Sequence, residues 1–197
     1  MNPTRVIPTL LINGWRGSGK TAFIHQLLQR AAIRQNPRDA ALHWCVMRDA
    51  PLLPSTSTLS FESAAAADAS TRVEWIDVAG GCLCCSALLP LRVKLVSTLR
   101  RLQQLPPALQ PVLLLETSGL ADPQVLLRLL GEPGIASSVA LRACMTVLAP
   151  TQLQSPAIVT HPMFLAQCRA ADRLLWLGSG DVSLRLLDRV LDAVVTC

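Results

Sequence analysis

Gly14-Trp15-Arg16-Gly17-Ser18-Gly19-Lys20-Thr21 decides the reading of this chain. It satisfies the G-x-x-x-x-G-K-[ST] spacing of a phosphate loop, and it stands where that loop must stand, between an apolar strand-like run and an amphipathic helix. Gly14, Gly17 and Gly19 let backbone N–H groups converge on phosphate oxygens, with Ser18 among them, and the helix N-terminus adds a favourable dipole. Lys20 is expected to reach the β and γ phosphates of a nucleoside triphosphate, and the Thr21 hydroxyl to ligate magnesium. The competing reading is a glycine-rich turn that caps a helix.

A carboxylate at the end of a second strand should complete a magnesium site. Glu116 follows the apolar run Val112 to Leu115 and precedes Thr117-Ser118-Gly119, where a loop can approach the phosphates. It can hold the water shell of the metal or orient an attacking water, unless it only caps the next helix. Asp49, at the end of another strand, is a second candidate for the same metal; its alternative is an exposed loop aspartate.

Outward from the phosphate loop, short β-branched or leucine-rich runs alternate with segments of helical period. That alternation predicts parallel strands joined by crossover helices, an α/β fold of three layers with helices on both faces of the sheet. The expected strands are Val6 to Ile12, Leu42 to Met47, Arg72 to Val78, Val112 to Leu115, Leu141 to Leu148 and Leu174 to Leu177. Phe23, Ile24, Leu27, Leu28 and Ala31 make one helix face, Leu88, Leu91, Leu95, Leu99 and Leu102 a second, and Leu184, Leu187, Leu191 and Val194 a third. In such a fold the loops after the first, third and fourth strands emerge at one sheet edge. Ala50 to Ser70 and Ala149 to Pro162 read as irregular connections. The chain has 197 residues, 51% of them hydrophobic, which suits a single domain over residues 1–197.

The formal charge of +5 comes almost wholly from arginine, since Lys20 and Lys94 are the only lysines. The arginines form no stripe, aromatic residues are scarce and tyrosine is absent, so the electrostatic track of a nucleic-acid binder is not made and its stacking platforms are poorly supplied; nucleic acid is not the expected partner. No apolar run reaches the roughly 18 residues of a membrane span. Met1 to Arg5 lacks a leader pattern, and the expected location is cytoplasmic.

Of seven cysteines, three crowd into Gly80-Gly81-Cys82-Leu83-Cys84-Cys85. That is a poor disulfide framework and a better metal or redox cluster. The two glycines allow sulfurs to come within about 4 Å of one another around a tetrahedral ion. Thiolates favour zinc or monovalent copper, and cobalt and nickel also bind. Three local ligands leave a fourth position open, which suits transfer of the metal. A redox pair, or three small core residues, is the alternative. Cys45, Cys144, Cys168 and Cys197 read as core or surface residues.

Together these motifs resemble the CobW-like metal-chaperone GTPases, relatives of the hydrogenase and urease nickel-insertion GTPases. Gly14 to Thr21 looks like the family's G-x-x-G-x-G-K-T, Gly81-Cys82-Leu83-Cys84-Cys85 like its G-C-x-C-C, and Glu116-Thr117-Ser118-Gly119-Leu120-Ala121-Asp122-Pro123 like its E-T-[ST]-G-L-A-D-P. They occur in the family's order and span nearly the whole chain. The resemblance implies GTP and magnesium as ligands, Glu116 in a Walker B element, a zinc or cobalt site at the cysteines coupled to GTP hydrolysis, and a client metalloprotein.

The chain also departs from the family. Where the family reads Asn-Lys-x-Asp, which binds guanine, this sequence has Gly178-Ser179-Gly180-Asp181, so Asp181 alone keeps a base contact. The Asn-Glu-Phe-Gly of the first switch is matched by Arg48-Asp49-Ala50-Pro51. Neither the smaller C-terminal domain usual in the family nor a histidine-rich tract is read here, and His25, His43 and His161 stand far apart. Client recognition is expected to be lost with that domain or supplied by another protein. Rival readings are a non-hydrolysing nucleotide or metal sensor and a small-molecule P-loop kinase, the latter leaving the cysteines unexplained.

Overall fold

The computed structural model of the chain describes residues 5–36, 39–49, 71–78, 88–177 and 183–195. The connection Ala50 to Ser70, the cysteine cluster, Gly178 to Asp181 and Cys197 lie outside the described residues.

β1 (Ile7–Asn13) is buried at every position, as a strand covered on both faces must be. α1 (Lys20–Arg34), β2 (Ala41–Asp49), β3 (Thr71–Val78), α2 (Leu88–Gln103) and β4 (Leu109–Glu116) follow. Next come α3 (Pro123–Leu130), α4 (Pro133–Ala136), β5 (Val139–Leu148), α5 (Pro150–Leu153), α6 (Pro156–Val159), α7 (Pro162–Ala170), β6 (Arg173–Trp176) and α8 (Leu184–Val195). All six expected strands are present, each within a few residues of its expected bounds. They form one sheet in the order β3-β2-β4-β1-β5-β6, with every pairing parallel.

Two apolar layers flank the sheet. On one face Leu10, Ile12, Val46 and Leu114 meet Phe23, Ile24, Leu27 and Leu28 of α1 and Leu187, Leu191 and Val194 of α8. On the other, Leu11, Met47, Leu113 and Leu115 meet Leu91, Leu95, Leu99 and Leu102 of α2 and Leu126, Leu129 and Leu130 of α3. This is the three-layer α/β fold expected. α1 and α8 are further tied by a two-pronged ion pair, Arg30 Nε and Nη2 to the Asp188 carboxylate at 2.7 and 2.9 Å.

Three details differ from the sequence expectation. Leu184, the first residue of α8, is 61% exposed and stands apart from the buried face of Leu187, Leu191 and Val194. Ala149 to Pro162 is not one irregular loop but carries α5 and α6, four residues each, and leads into α7. Proline stands at the first position of each, at Pro150, Pro156 and Pro162, where its fixed φ suits helix entry and its missing N–H costs nothing. α3, α4 and α7 were likewise outside the expected helix faces. No helix among the described residues is long and apolar enough to cross a membrane.

Candidate functional site

The site is built where β1 and β4 end side by side, with Ile12 opposite Glu116 in register. Beyond that pair the Thr117 N–H donates to Ile12 O at 3.0 Å, so the loop leaving β4 starts pinned to the start of the phosphate loop.

Gly14, Gly17 and Gly19 have φ of +143°, +77° and +92°. Gly14 is doubly constrained, since a Cβ there would also stand 2.5 Å from Val147 O and 2.6 Å from Ser18 Oγ. No L side chain fits that conformation in that space. α1 then starts at Lys20 with no side-chain cap on its N-terminus, leaving first-turn N–H groups for another acceptor. The Lys20 ammonium curls back and donates to the carbonyls of Gly14 and Trp15 at 2.8 and 3.2 Å. Ser18 Oγ is buried in the same loop with no hydrogen-bond partner among the described residues.

The Thr21 hydroxyl donates to Glu116 Oε1 at 2.5 Å, although the two residues are 95 apart in sequence. Glu116 lies on the sheet face that α1 covers, following Val112 and Leu114 at the strand's period of two. The first turn of α1 therefore brings Thr21 to it. Asp49 is the last residue of β2 and pairs in register with Val78, while its neighbour Arg48 is the register partner of Glu116. Arg48 itself donates to Asp77 Oδ1 at 2.8 Å and lies 4.8 Å from the centroid of the Trp75 ring, which fixes the start of the expected switch stretch at the β2–β3 edge. His25 of α1 sits 5.3 Å from the same ring, and its pKa is lowered by burial and then by the Arg48 charge.

The structure thus brings Gly14 to Thr21 together with Glu116. Cys82, Cys84, Cys85 and Asp181 fall outside the described residues, and the described residues contain no group of three or more His, Cys, Asp or Glu side chains suited to a metal. The sheet order does locate the cysteine loop's point of departure. It leaves β3, two strands from β4 and three from β1, or about 10 and 14 Å at ~4.8 Å per strand.

The sequence reading missed Gln152 and Gln167. Gln152 Nε2 donates to Arg16 O at 3.0 Å, and Gln167 Nε2 donates to the carbonyls of Gly119 and Ala121, both at 3.1 Å. The available signal was a glutamine spaced three residues from Phe164 on the buried face of α7. The three histidines take structural places: His161 Nδ1 accepts from Met163 N–H and caps α7, His43 lies 3.5 Å from Glu74, and His25 stands beside Trp75.

Residues 8–177 match the family model "CobW/HypB/UreG, nucleotide-binding domain". The chain belongs to the CobW/HypB/UreG family. Its six-stranded parallel sheet, covered by helices on both faces, is the three-layer P-loop fold of that family's nucleotide-binding domain. It is similar to the zinc chaperone YeiR of Escherichia coli, with 32% identity over 164 residues, which cover 83% of this chain and 44% of the relative. It is also similar to the zinc-regulated GTPase metalloprotein activator 1 of Saccharomyces cerevisiae, 30% identical across 72% of this chain and 30% of the relative. A zinc chaperone CobW of Pseudomonas aeruginosa is 27% identical across 84% of this chain and 41% of its own length. The chain thus spans less than half the length of these curated relatives. No solved structure matches it significantly.

Proposed function

We propose that this chain is a nucleotide-hydrolysing domain that takes up zinc, or a similar ion such as cobalt, at Cys82, Cys84 and Cys85 and passes it to a client metalloprotein. The observation that carries the proposal is the Thr21–Glu116 hydrogen bond at 2.5 Å, which places a Walker A hydroxyl and a carboxylate on one spot beside the phosphate loop. A hydroxyl and a carboxylate are hard oxygen donors of the kind magnesium takes. The orphaned Ser18 hydroxyl and the uncapped start of α1 supply donors of the kind a phosphate takes. Both groups fit the residues present. Bound magnesium would neutralise charge on the phosphates.

The chain's own residues do the rest. Lys20 exchanges its two loop carbonyls for phosphate oxygens, keeping its charge over the glycines. The backbone N–H groups of Gly14 to Thr21 orient the triphosphate. Glu116 holds the proton side of a water at the end of β4, where its charge favours deprotonation. Asp49, one residue beyond the register partner of Glu116, is assigned to the same water shell. Asp181 is assigned the remaining contact to a guanine base. The similarity to a zinc chaperone and to a zinc-regulated GTPase supports zinc as cargo and GTP as fuel, the metal being the substrate here and not a resident cofactor.

A second reading, a sensor that binds nucleotide and metal without hydrolysis, is favoured by Gly178-Ser179-Gly180-Asp181 and by Arg48-Asp49-Ala50-Pro51 in place of the family's base and switch motifs. One experiment separates them. Protein purified without chelator is analysed for metal and assayed for phosphate release from GTP with and without added zinc. Stoichiometric zinc with release abolished by Lys20→Ala supports the hydrolase. Zinc and tight nucleotide binding without release supports the sensor, and neither zinc nor nucleotide binding removes both.

A further inference from the structure

Gln167 is fully buried. A plain core position on α7 would be filled at less cost by leucine or methionine, since an amide buried without full pairing loses its hydration and is not fully repaid. Here Oε1 has no hydrogen-bond partner among the described residues, so the side chain is only half satisfied. Its nitrogen, by contrast, spends both N–H groups on one target, the turn after Glu116, at Gly119 O and Ala121 O. The backbone of Gln167 is fixed in turn, because its carbonyl accepts from Thr146 Oγ1 at 2.8 Å.

That turn presses on the phosphate loop. A Cβ at Gly119 would stand 2.4 Å from the Arg16 nitrogen and 2.6 Å from its Cα, so only glycine allows the two loops to meet. On the opposite side Arg16 O accepts from Gln152 Nε2, and Gln152 Oε1 accepts from Ala149 N–H at 3.3 Å. Trp15 closes the bracket, its ring 4.8 Å from His161 and 6.3 Å from Phe164. The segment from Ala149 to Ala170 therefore grips both loops at once, through glutamines hydrogen-bonded to backbone carbonyls of the two loops.

We infer that Gln167 is a positioning residue of the nucleotide site: by holding the Gly119–Ala121 turn down on Arg16, it keeps Glu116 against Thr21 and so sets the strength of magnesium binding. Gln152 secures the other end of the same bracket. The inference rests on the magnesium-nucleotide reading above. It separates two contributions that a folding defect would not separate. The glycine cradle and Lys20 bind phosphate without the metal, whereas the gain from magnesium needs Thr21 and Glu116 in place.

The test measures the affinity of a non-hydrolysable triphosphate by calorimetry, with magnesium and with a chelator, and reads the ratio of the two. In Gln167→Met the ratio is expected to fall at least fivefold while the chelator affinity stays within twofold of the parent. On a Glu116→Gln background, Gln167→Met should change the ratio by less than twofold, since there is no carboxylate left to position. Gly119→Ala pushes the turn off Arg16 while leaving the Gln167 side chain in the sequence, and should likewise lower the ratio, which covers a Gln167→Met protein that does not fold. An unchanged ratio in a folded Gln167→Met or Gly119→Ala protein overturns the inference, as does a full additional effect on the Glu116→Gln background. A parent protein that gains nothing from magnesium removes the proposed metal site and this inference with it, and that outcome is seen before any variant is made.

Discussion

Thr21 and Glu116 meet at 2.5 Å because β4 and β1 are neighbours and α1 crosses the face on which Glu116 lies. The contact converts two separate motifs into one site. A hydroxyl with a carboxylate is neutral in shape to a Glu-to-Gln exchange but not in charge. Glu116→Gln should therefore leave the fold intact and lower phosphate release at least tenfold, about 1.4 kcal/mol of transition-state stabilisation. Release at the parent rate, measured with saturating nucleotide and magnesium, would end the role assigned to Glu116.

Lys20 is held in place before any phosphate arrives, by the carbonyls of Gly14 and Trp15. Its ammonium thus offers charge at a fixed point, and little side-chain freedom remains to be lost on binding. Lys20→Ala should weaken magnesium-nucleotide binding at least tenfold, about 1.4 kcal/mol. Equal affinities for the two proteins in calorimetry would remove the phosphate-loop assignment.

The strands were legible because both faces of the sheet are covered, which turns each strand into a near-continuous apolar run such as Val112 to Leu115. The long helices α1 and α2 showed their faces for the complementary reason, a period of three and four over several turns. α5 and α6 have four residues each, too few to show a period, and their only signal was proline at the first position. Within the site, motif spacing identified Gly14 to Thr21 and Glu116. Gln152 and Gln167 carry no such spacing, since the loops they grip become adjacent only through strand order. Strand order also puts the cysteine loop's departure at the far edge of the sheet, a separation that alternating strands and helices do not reveal.

Base preference should be weak. Asp181 is the one base contact proposed to remain in Gly178-Ser179-Gly180-Asp181, and a site that discriminates by hydrogen bonds loses selectivity as those bonds are removed. Competition of ATP and GTP against a labelled guanine nucleotide should give affinities within about a hundredfold, or 2.7 kcal/mol. A preference for GTP of several thousandfold would show that other residues read the base.

Alkaline pH should destabilise the chain through two core thiols. Burial pushes Cys45 from 9.0 up to about 12 and Cys144 from 9.0 up to about 11. The folded state then holds protons that the unfolded state releases above pH 9, so their contribution is complete below pH 9 and is lost as pH rises toward 11 and 12. The sequence has no tyrosine and only two lysines, and the five remaining cysteines are common to the parent and the double variant below, so the comparison isolates Cys45 and Cys144. The urea midpoint should be level from pH 7 to 8 and fall between pH 9 and 11. The fall should shrink in a Cys45→Ala, Cys144→Ala double variant; an equal fall there would assign the effect elsewhere.

Zinc and nucleotide should influence each other. The cysteine loop leaves β3, and the strands between β3 and β1, β2 and β4, end at Asp49 and Glu116 at the same end of the sheet as the phosphate loop, so loops from that end can couple the two ligands. Binding of a non-hydrolysable triphosphate is therefore expected to change zinc affinity at least fivefold, about 1 kcal/mol, and zinc must change nucleotide affinity by the same factor. About one zinc per chain should bind, and Cys84→Ser with Cys85→Ser should abolish it while leaving nucleotide binding in place. Titrating in both directions checks the reciprocity. Zinc affinity that is identical with and without nucleotide, in protein shown to bind both, would leave a structural metal site and no transfer mechanism.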